Sequence, residues 1–263
     1  MYAFNYERPA NLAAAQVLLA AGGNALAGGQ TMIAAMKQRL QQPETVVDLG
    51  GISTLAGIRK EGNNLVIGAM TRHQDVADSA EVRQHIPALA ALADGIGDKQ
   101  IRTLGTLGGS VANNDPAACY PSAVLALGAT VHTDKRTIAA DDFFQGLYTT
   151  ALDAGELITA ISFPIPQKAA YAKFRQPASR FALVGVFVAQ TAAGARVAIT
   201  GAGNGVFRHA GLEAALSASF TPEAATQVAI DASELNADLH ASAAYRAHLI
   251  TVQTQRAVKQ AHG

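Results

Sequence analysis

Two glycine-rich segments constrain this chain more than any other feature: Ala27-Gly28-Gly29-Gln30-Thr31 and Thr106-Leu107-Gly108-Gly109-Ser110. The first lies between a strand-like stretch and a helix, the second before a run of small residues. Glycine lets backbone N–H groups approach a ligand with no Cβ in the way, and a helix starting after the first loop adds the positive end of its dipole. A diphosphate can therefore lie on each loop without a lysine. Taken singly, each is more often a tight turn than a phosphate cradle. Neither ends in Gly-Lys-Ser/Thr, which argues against a P-loop ATPase. A third segment, Gly201-Ala202-Gly203-Asn204-Gly205, has Val206 where a dinucleotide fingerprint needs its third glycine, and reads as a turn.

Around these loops, short strand-like and helix-like segments alternate through about residue 165, which points to an α/β or α+β domain. A helix is expected over Pro9–Ala21, ended by Gly22-Gly23, and Thr31 is placed to cap another through Met32, Met36 and Lys37. Val46-Val47-Asp48-Leu49 reads as a buried strand. Ile58-Arg59-Lys60 and Leu65-Val66-Ile67 read as a hairpin around Glu61-Gly62-Asn63-Asn64. Helices follow over Glu81–Ala93 and Pro121–Leu127. Pro164-Ile165-Pro166 marks a boundary, because closely spaced prolines interrupt strand pairing. Beyond it, Phe181–Ala189 and Arg196–Thr200 read as antiparallel strands joined at Ala192-Ala193-Gly194. Helices complete the chain, and in the last of them Tyr245, Leu249 and Val252 recur as a core stripe.

With 263 residues, 49% of them hydrophobic, the chain can bury a large core. Lys plus Arg and Asp plus Glu both number 20, without dense runs, so there is no electrostatic footprint for nucleic acid or an anionic membrane. No apolar stretch reaches the roughly 18 to 20 residues of a membrane span. The N-terminus lacks a basic region followed by an apolar one, and a cytoplasmic location is expected. Cys119, the single cysteine, cannot form an internal disulfide or ligate an ordinary iron-sulfur cluster by itself. Any such cluster belongs on another chain. Cys119 reads as a buried packing thiol. The histidines, including His73 near Asp75, lack metal-ligand spacing, and surface or capping roles are expected of them.

The two loops with their surroundings resemble the FAD-binding medium subunit of the xanthine dehydrogenase and carbon monoxide dehydrogenase family, the molybdenum hydroxylases. The first loop is similar to the family's first pyrophosphate loop, and Thr106-Leu107-Gly108-Gly109 to its Thr-Ile-Gly-Gly signature. The signature is preceded by Ile96-Gly97-Asp98-Lys99-Gln100-Ile101-Arg102 and followed by Ala112, Asp115-Pro116 and Pro121. Leu65–Thr71, Gly155-Glu156-Leu157-Ile158 and Ser242–Arg246 extend the resemblance nearly end to end. It implies an α+β fold: a two-lobed FAD-binding domain of the vanillyl-alcohol-oxidase (PCMH) type over 1–166, with lobes of about 1–55 and 56–166. A C-terminal α+β domain of the carbon monoxide dehydrogenase flavoprotein type, with a three- to four-stranded antiparallel sheet and helices, would fill 167–263.

The resemblance also implies residue roles. Backbone amides of Ala27, Gly28, Gly29, Gln30, Thr31 and Met32, and of Thr106, Leu107, Gly108, Gly109 and Ser110, would hold the pyrophosphate. Hydroxyls of Thr31, Thr106 and Ser110 would assist. Asn113 would lie near the polar chain, and backbone groups of Leu157 and Ile158 would meet the pyrimidine edge of the isoalloxazine, although both read equally well as core residues of a strand. Phe181 matches a position that is aromatic in many relatives, but a core phenylalanine is the stronger reading. Cys119 stands where the family has an acidic residue. Gln30 occupies the place of the histidine that binds flavin covalently in the wider fold, so non-covalent FAD is expected. The molybdopterin cofactor and 2Fe-2S clusters would sit on a large and a small partner subunit, in a heterotrimer or a dimer of heterotrimers. No residue of this chain is expected to act as a catalytic acid, base or nucleophile, or as a metal ligand. A self-contained flavin oxidoreductase, or a nucleotide-binding module without redox function, are the alternatives. Gly28→Val or Gly109→Val is expected to abolish FAD binding by filling the diphosphate space.

Overall fold

The computed structural model describes every residue from Met1 to Gly263 and mixes helices with several sheets. The N-terminal lobe is a three-stranded parallel sheet in which Thr45–Asp48 lies between Asn5–Glu7 and Asn24–Leu26. Parallel strands need a crossover, which helix Leu12–Ala20 supplies. Asn11 caps that helix, its side chain accepting from the Ala14 N–H at 2.9 Å. The next helix, Met32–Lys37, follows the first glycine loop. Thr31 sits at its start but makes no capping bond; its backbone is already helical, whereas a capping side chain reaches inward from an extended residue.

The second lobe is a five-stranded antiparallel sheet in the order Ile58–Glu61, Asn64–Gly68, Ile158–Pro164, Thr130–Thr133, Thr137–Ala139. Its core of 32 buried residues includes Leu65, Ile67, Ile161 and Phe163 from the sheet and Val76, Leu89, Leu107 and Tyr120 from the helices. The single helix expected over Glu81–Ala93 is two helices, Ala80–His85 and Pro87–Asp94. Pro87 has no N–H to continue the ladder and pushes Ile86 out of helical geometry.

After Pro164 the chain leaves this sheet, and at Lys168 it enters a four-stranded antiparallel one: Lys168–Arg175, Ala182–Thr191, Gly194–Thr200, Phe207–Arg208. Both faces of its second strand are covered. Val184, Val186 and Val188 join an 18-residue cluster with the C-terminal helices, while Phe187 and Ala189 join the core of the second lobe. Two-sided burial accounts for the nearly continuous apolar run Ala182–Ala189. The Gly201–Gly205 segment is a turn, in which a Cβ on Gly201 would fall 2.3 Å from the Ala182 carbonyl oxygen. On the last helix, Ala243–Ala261, the expected stripe is displaced: Tyr245 is exposed, and the buried face carries Arg246, Leu249, Ile250, Gln253, Thr254 and Ala257. No helix is long and apolar enough to cross a membrane.

Candidate functional site

A cleft of about 530 Å³ runs between the lobes, and both glycine loops line it. Ala27, Gly28, Gly29, Gln30, Thr31, Met32, Thr106, Gly108, Gly109, Ser110, Asn113, Leu157 and Ile158 all face it. Leu107 does not. Its side chain is fully buried in the core of the second lobe, where it anchors the loop from behind. The loops touch each other: a Cβ on Gly28 would fall 2.2 Å from the Leu104 carbonyl oxygen and 2.6 Å from the Gly105 Cα, and one on Gly109 would fall 3.1 Å from the Ala27 Cβ. The missing side chain of Gly28 therefore makes room for the other loop. This corrects the expectation that the glycine clears space for a diphosphate.

Hydrogen bonding divides the labour between the loops. None of the six consecutive amides from Ala27 to Met32 donates to another group of the protein. Gly29 turns the loop with a φ of +69°, and the Gln30 side-chain amide clamps it by donating to the Gly28 carbonyl at 2.8 Å. In the second loop, by contrast, Leu107 N–H donates to Thr71 O at 3.0 Å and Gly108 N–H to Ala69 O at 2.8 Å. Gly109 N–H donates to the Thr106 hydroxyl at 3.2 Å, and Ser110 N–H to Thr106 O at 3.1 Å. The expectation that these four amides meet a phosphate is thus corrected: they build and cap helix Leu107–Asn113, while the Thr106 hydroxyl accepts in that cap and keeps its own O–H free to donate. The free donors are the six amides of the first loop and the Thr106 N–H of the second, with the unengaged hydroxyls of Thr31 and Ser110 beside them.

At the far end, the Leu157 N–H donates to Asp134 Oδ1 at 2.8 Å and its carbonyl accepts from the Asp134 N–H at 3.0 Å. That backbone is occupied, so the pyrimidine-edge role expected of Leu157 is corrected: it offers the cleft a buried apolar surface. Asp134 Oδ2 accepts from Gln16 Nε2 at 2.8 Å, tying the second lobe to the first. Glu156 is sealed beside it. Its carboxylate accepts from Arg136 Nε and NH2 at 3.0 Å, from the Thr133 hydroxyl at 2.7 Å and from the Asp153 N–H at 2.8 Å. The bond from Arg136 is the main cause that pulls the Glu156 carboxyl from 4.5 down to about 2, against desolvation. Its ionised form therefore adds stability that is complete above pH 4.5 and lost as pH falls through about 2. Glu156→Gln is expected to lower stability by about 2 kcal/mol at pH 7, a value held down because Arg136 is half-exposed. Urea unfolding across pH checks this: the difference between variant and wild type should shrink on acidification and stay flat above pH 5.

The third wall comes from the C-terminal part. Lys173 Nζ donates to the carbonyls of Gly95 at 2.7 Å and Arg180 at 3.1 Å, and lies 3.4 Å from Cys119 Sγ. Cys119 is buried, as expected, but at the edge of the cleft. Phe181 is 48% exposed and lines the cleft, so it is no core residue; Arg180 beside it holds a φ of +61° in a tight turn. His73 is likewise misplaced by the sequence reading, being buried against the cleft instead of on the surface. Sequence reasoning missed Lys173, Arg180 and Asp134 altogether, because nothing in their local spacing distinguishes them from surface charges.

Residues 2–166 match the family described as the FAD binding domain in molybdopterin dehydrogenase. The chain belongs to this family. It is similar to the carbon monoxide dehydrogenase medium chain of Afipia carboxidovorans, at 39% identity over 203 residues, covering 73% of this chain and 70% of that one. Similarity to the nicotine 6-hydroxylase medium subunit of Paenarthrobacter nicotinovorans is 34% over 275 residues, covering 98% and 97%. Among solved structures, carbon monoxide dehydrogenase of Hydrogenophaga pseudoflava superposes with a TM-score of 0.92 at 33% identity, covering 99% and 98%. Quinoline 2-oxidoreductase of Pseudomonas putida 86 gives 0.89 at 28% identity, covering 99% and 97%. The chain is thus an FAD-binding oxidoreductase component of the medium-subunit type. Its cleft fits a dinucleotide: a run of free amides suited to an anionic group lies at the meeting of the loops, and apolar residues line the far end.

Proposed function

We propose that FAD lies non-covalently along the cleft, its pyrophosphate on the amides of Ala27 to Met32 and on the hydroxyls of Thr31 and Ser110. The observation that carries this is the unbroken run of unpaired donors where the two loops meet. Thr106, Gly108 and Gly109 close the wall behind the phosphates, Asn113 stands beside the polar chain, and Leu157 and Ile158 flank the ring. Gln30 carries no nucleophile and is held by Gly28, which supports non-covalent attachment. Bound there, FAD supplies exchange between one-electron and two-electron partners. The chain's own residues bind it, orient it and keep water from its apolar end.

On this reading the chain passes electrons from 2Fe-2S clusters of a small subunit to an external acceptor, and a large molybdopterin subunit performs the hydroxylation. A heterotrimer or a dimer of heterotrimers in the cytoplasm follows. We assign 1–166 to FAD and 167–263 to a second unit, supported by the change of sheet after Pro164. One experiment tests the core of this: purify the native complex, measure molybdenum, iron and FAD, then unfold it in acid. Molybdenum and iron should co-purify, and all flavin should leave with the soluble fraction. Flavin that stays on the chain refutes non-covalent binding, and a metal-free preparation refutes the assembly.

A further inference from the structure

We propose that His73 is a cofactor-binding residue, its Nε2–H donating a hydrogen bond to the anionic middle of the bound dinucleotide. This rests on the FAD reading above and adds a residue to it. His73 opens the helix His73–Asp78 and is tied to the second loop, its backbone N–H donating to the Gly105 carbonyl at 2.9 Å. A Cβ on Gly105 would fall 2.6 Å from His73 Nε2, so this glycine makes room for the ring. The same Gly105 presents its Cα to Gly28. Nε2 therefore packs against the glycine that the first loop touches, and it lines the same cleft as that loop.

The ring is 5% exposed and lines the cleft. Neither nitrogen has a hydrogen-bond partner in the protein; of the two, Nδ1 is the one sealed from solvent. Burial, aided by the charge of Arg102, pushes His73 down to about 4, so at neutral pH the ring carries a single N–H. Placed on Nδ1, that proton would bury a donor with no acceptor. Placed on Nε2, it faces the cleft and leaves only a lone pair inside. An orphaned buried N–H is the rarer and worse defect, which selects the Nε2–H tautomer. Tyr120 offers Nδ1 no acceptor: its ring lies 5.3 Å from that of His73, yet its buried hydroxyl has no hydrogen-bond partner. A neutral N–H suits a phosphate oxygen because it binds the anion without burying a second charge.

Two measurements test the assignment. In the full chain labelled with 15N-histidine, His73 should show the neutral Nε2–H pattern without FAD, and its Nε2–H proton should move downfield when FAD saturates the chain. A Nδ1–H pattern, or an Nε2 signal unmoved while the chain is fully loaded with flavin, overturns the inference and leaves the FAD reading intact. Failure of the wild-type chain to take up FAD overturns the FAD reading instead. In parallel, His73→Leu should weaken FAD binding ~10- to 100-fold. The Tm of its FAD-free form should equal or exceed that of wild type, because the orphaned Nδ1 is gone. His73→Gln, which keeps an N–H donor, should bind FAD more tightly than His73→Leu. Wild-type affinity in His73→Leu, or a joint fall in affinity and FAD-free Tm, marks a packing role and sinks the proposal.

Discussion

Gly28→Val should leave the chain without flavin and should also weaken the FAD-free protein, by about 3 kcal/mol for a branched side chain forced against main chain. The Cβ of residue 28 would meet the Leu104 carbonyl oxygen at 2.2 Å and the Gly105 Cα at 2.6 Å. Neither neighbour is a flexible side chain that can rotate away, so the loops must separate. Separation removes the arrangement on which the proposed phosphate site depends, with the first loop's amides set against the second loop's wall. Gly109→Ala is the informative contrast, because its Cβ meets the Thr106 hydroxyl at 2.9 Å and the Ala27 methyl at 3.1 Å. The helix cap would suffer, yet the neighbours are side-chain atoms, and part of the flavin content should survive. Flavin per chain and urea unfolding of the FAD-free forms measure the two effects separately. If Gly28→Val lost FAD but kept wild-type FAD-free stability, the glycine would serve the ligand alone and the loop-to-loop account would be wrong.

The contrast shows which parts of the site are legible in sequence. Gly28-Gly29 announces a loop with exposed amides, because glycine pairs and a following helix are local features. The second loop looks equivalent on paper. Two of its amides, those of Leu107 and Gly108, are consumed by the carbonyls of Thr71 and Ala69, partners far away in the chain that no local pattern reveals. Strands read well where burial is two-sided, as in Ala182–Ala189, because an apolar run with β-branched residues has few other uses. Pro87 held the information that splits the helix after His85, but the apolar periodicity on either side masked it. His73 and Phe181 defy the usual partition in opposite ways: a polar ring is buried and an apolar one exposed, both at the cleft, and neither is marked by its local sequence. The last helix fails in the same way, since Arg246, Gln253 and Thr254 sit on its buried face and hide the true stripe.

Arg246 turns that exception into the second large effect. Arg246→Met should lower stability by about 3 kcal/mol, most of it from two main-chain acceptors rather than from an ion pair. Arg246 is 3% exposed, and its NH1 donates to the carbonyls of Leu183 and Gly201 at 2.8 Å each, while NH2 donates to Asp238 Oδ2 at 2.7 Å. Asp238 is 44% exposed and can return to water, so its share is small. The two buried carbonyls cannot, and methionine offers them nothing. Asp238→Asn should accordingly change stability by less than about 1 kcal/mol. The effect should also reach the cleft. Gly201 N–H donates to Pro116 O at 2.7 Å, and the Thr200 hydroxyl bridges the carbonyls of Pro116 and Ala118, so the strand end that Arg246 holds also positions cleft-lining Ala117 and Ala118. FAD should bind Arg246→Met more weakly, and saturating FAD should recover part of the lost stability, since a ligand of the native state alone must stabilise it. Urea unfolding of both variants, with and without FAD, checks this. If Asp238→Asn proved as damaging as Arg246→Met, the ion pair would be the source and the carbonyl clamp would be discarded. If only the FAD-free stability fell while affinity held, Arg246 would serve the C-terminal sheet alone.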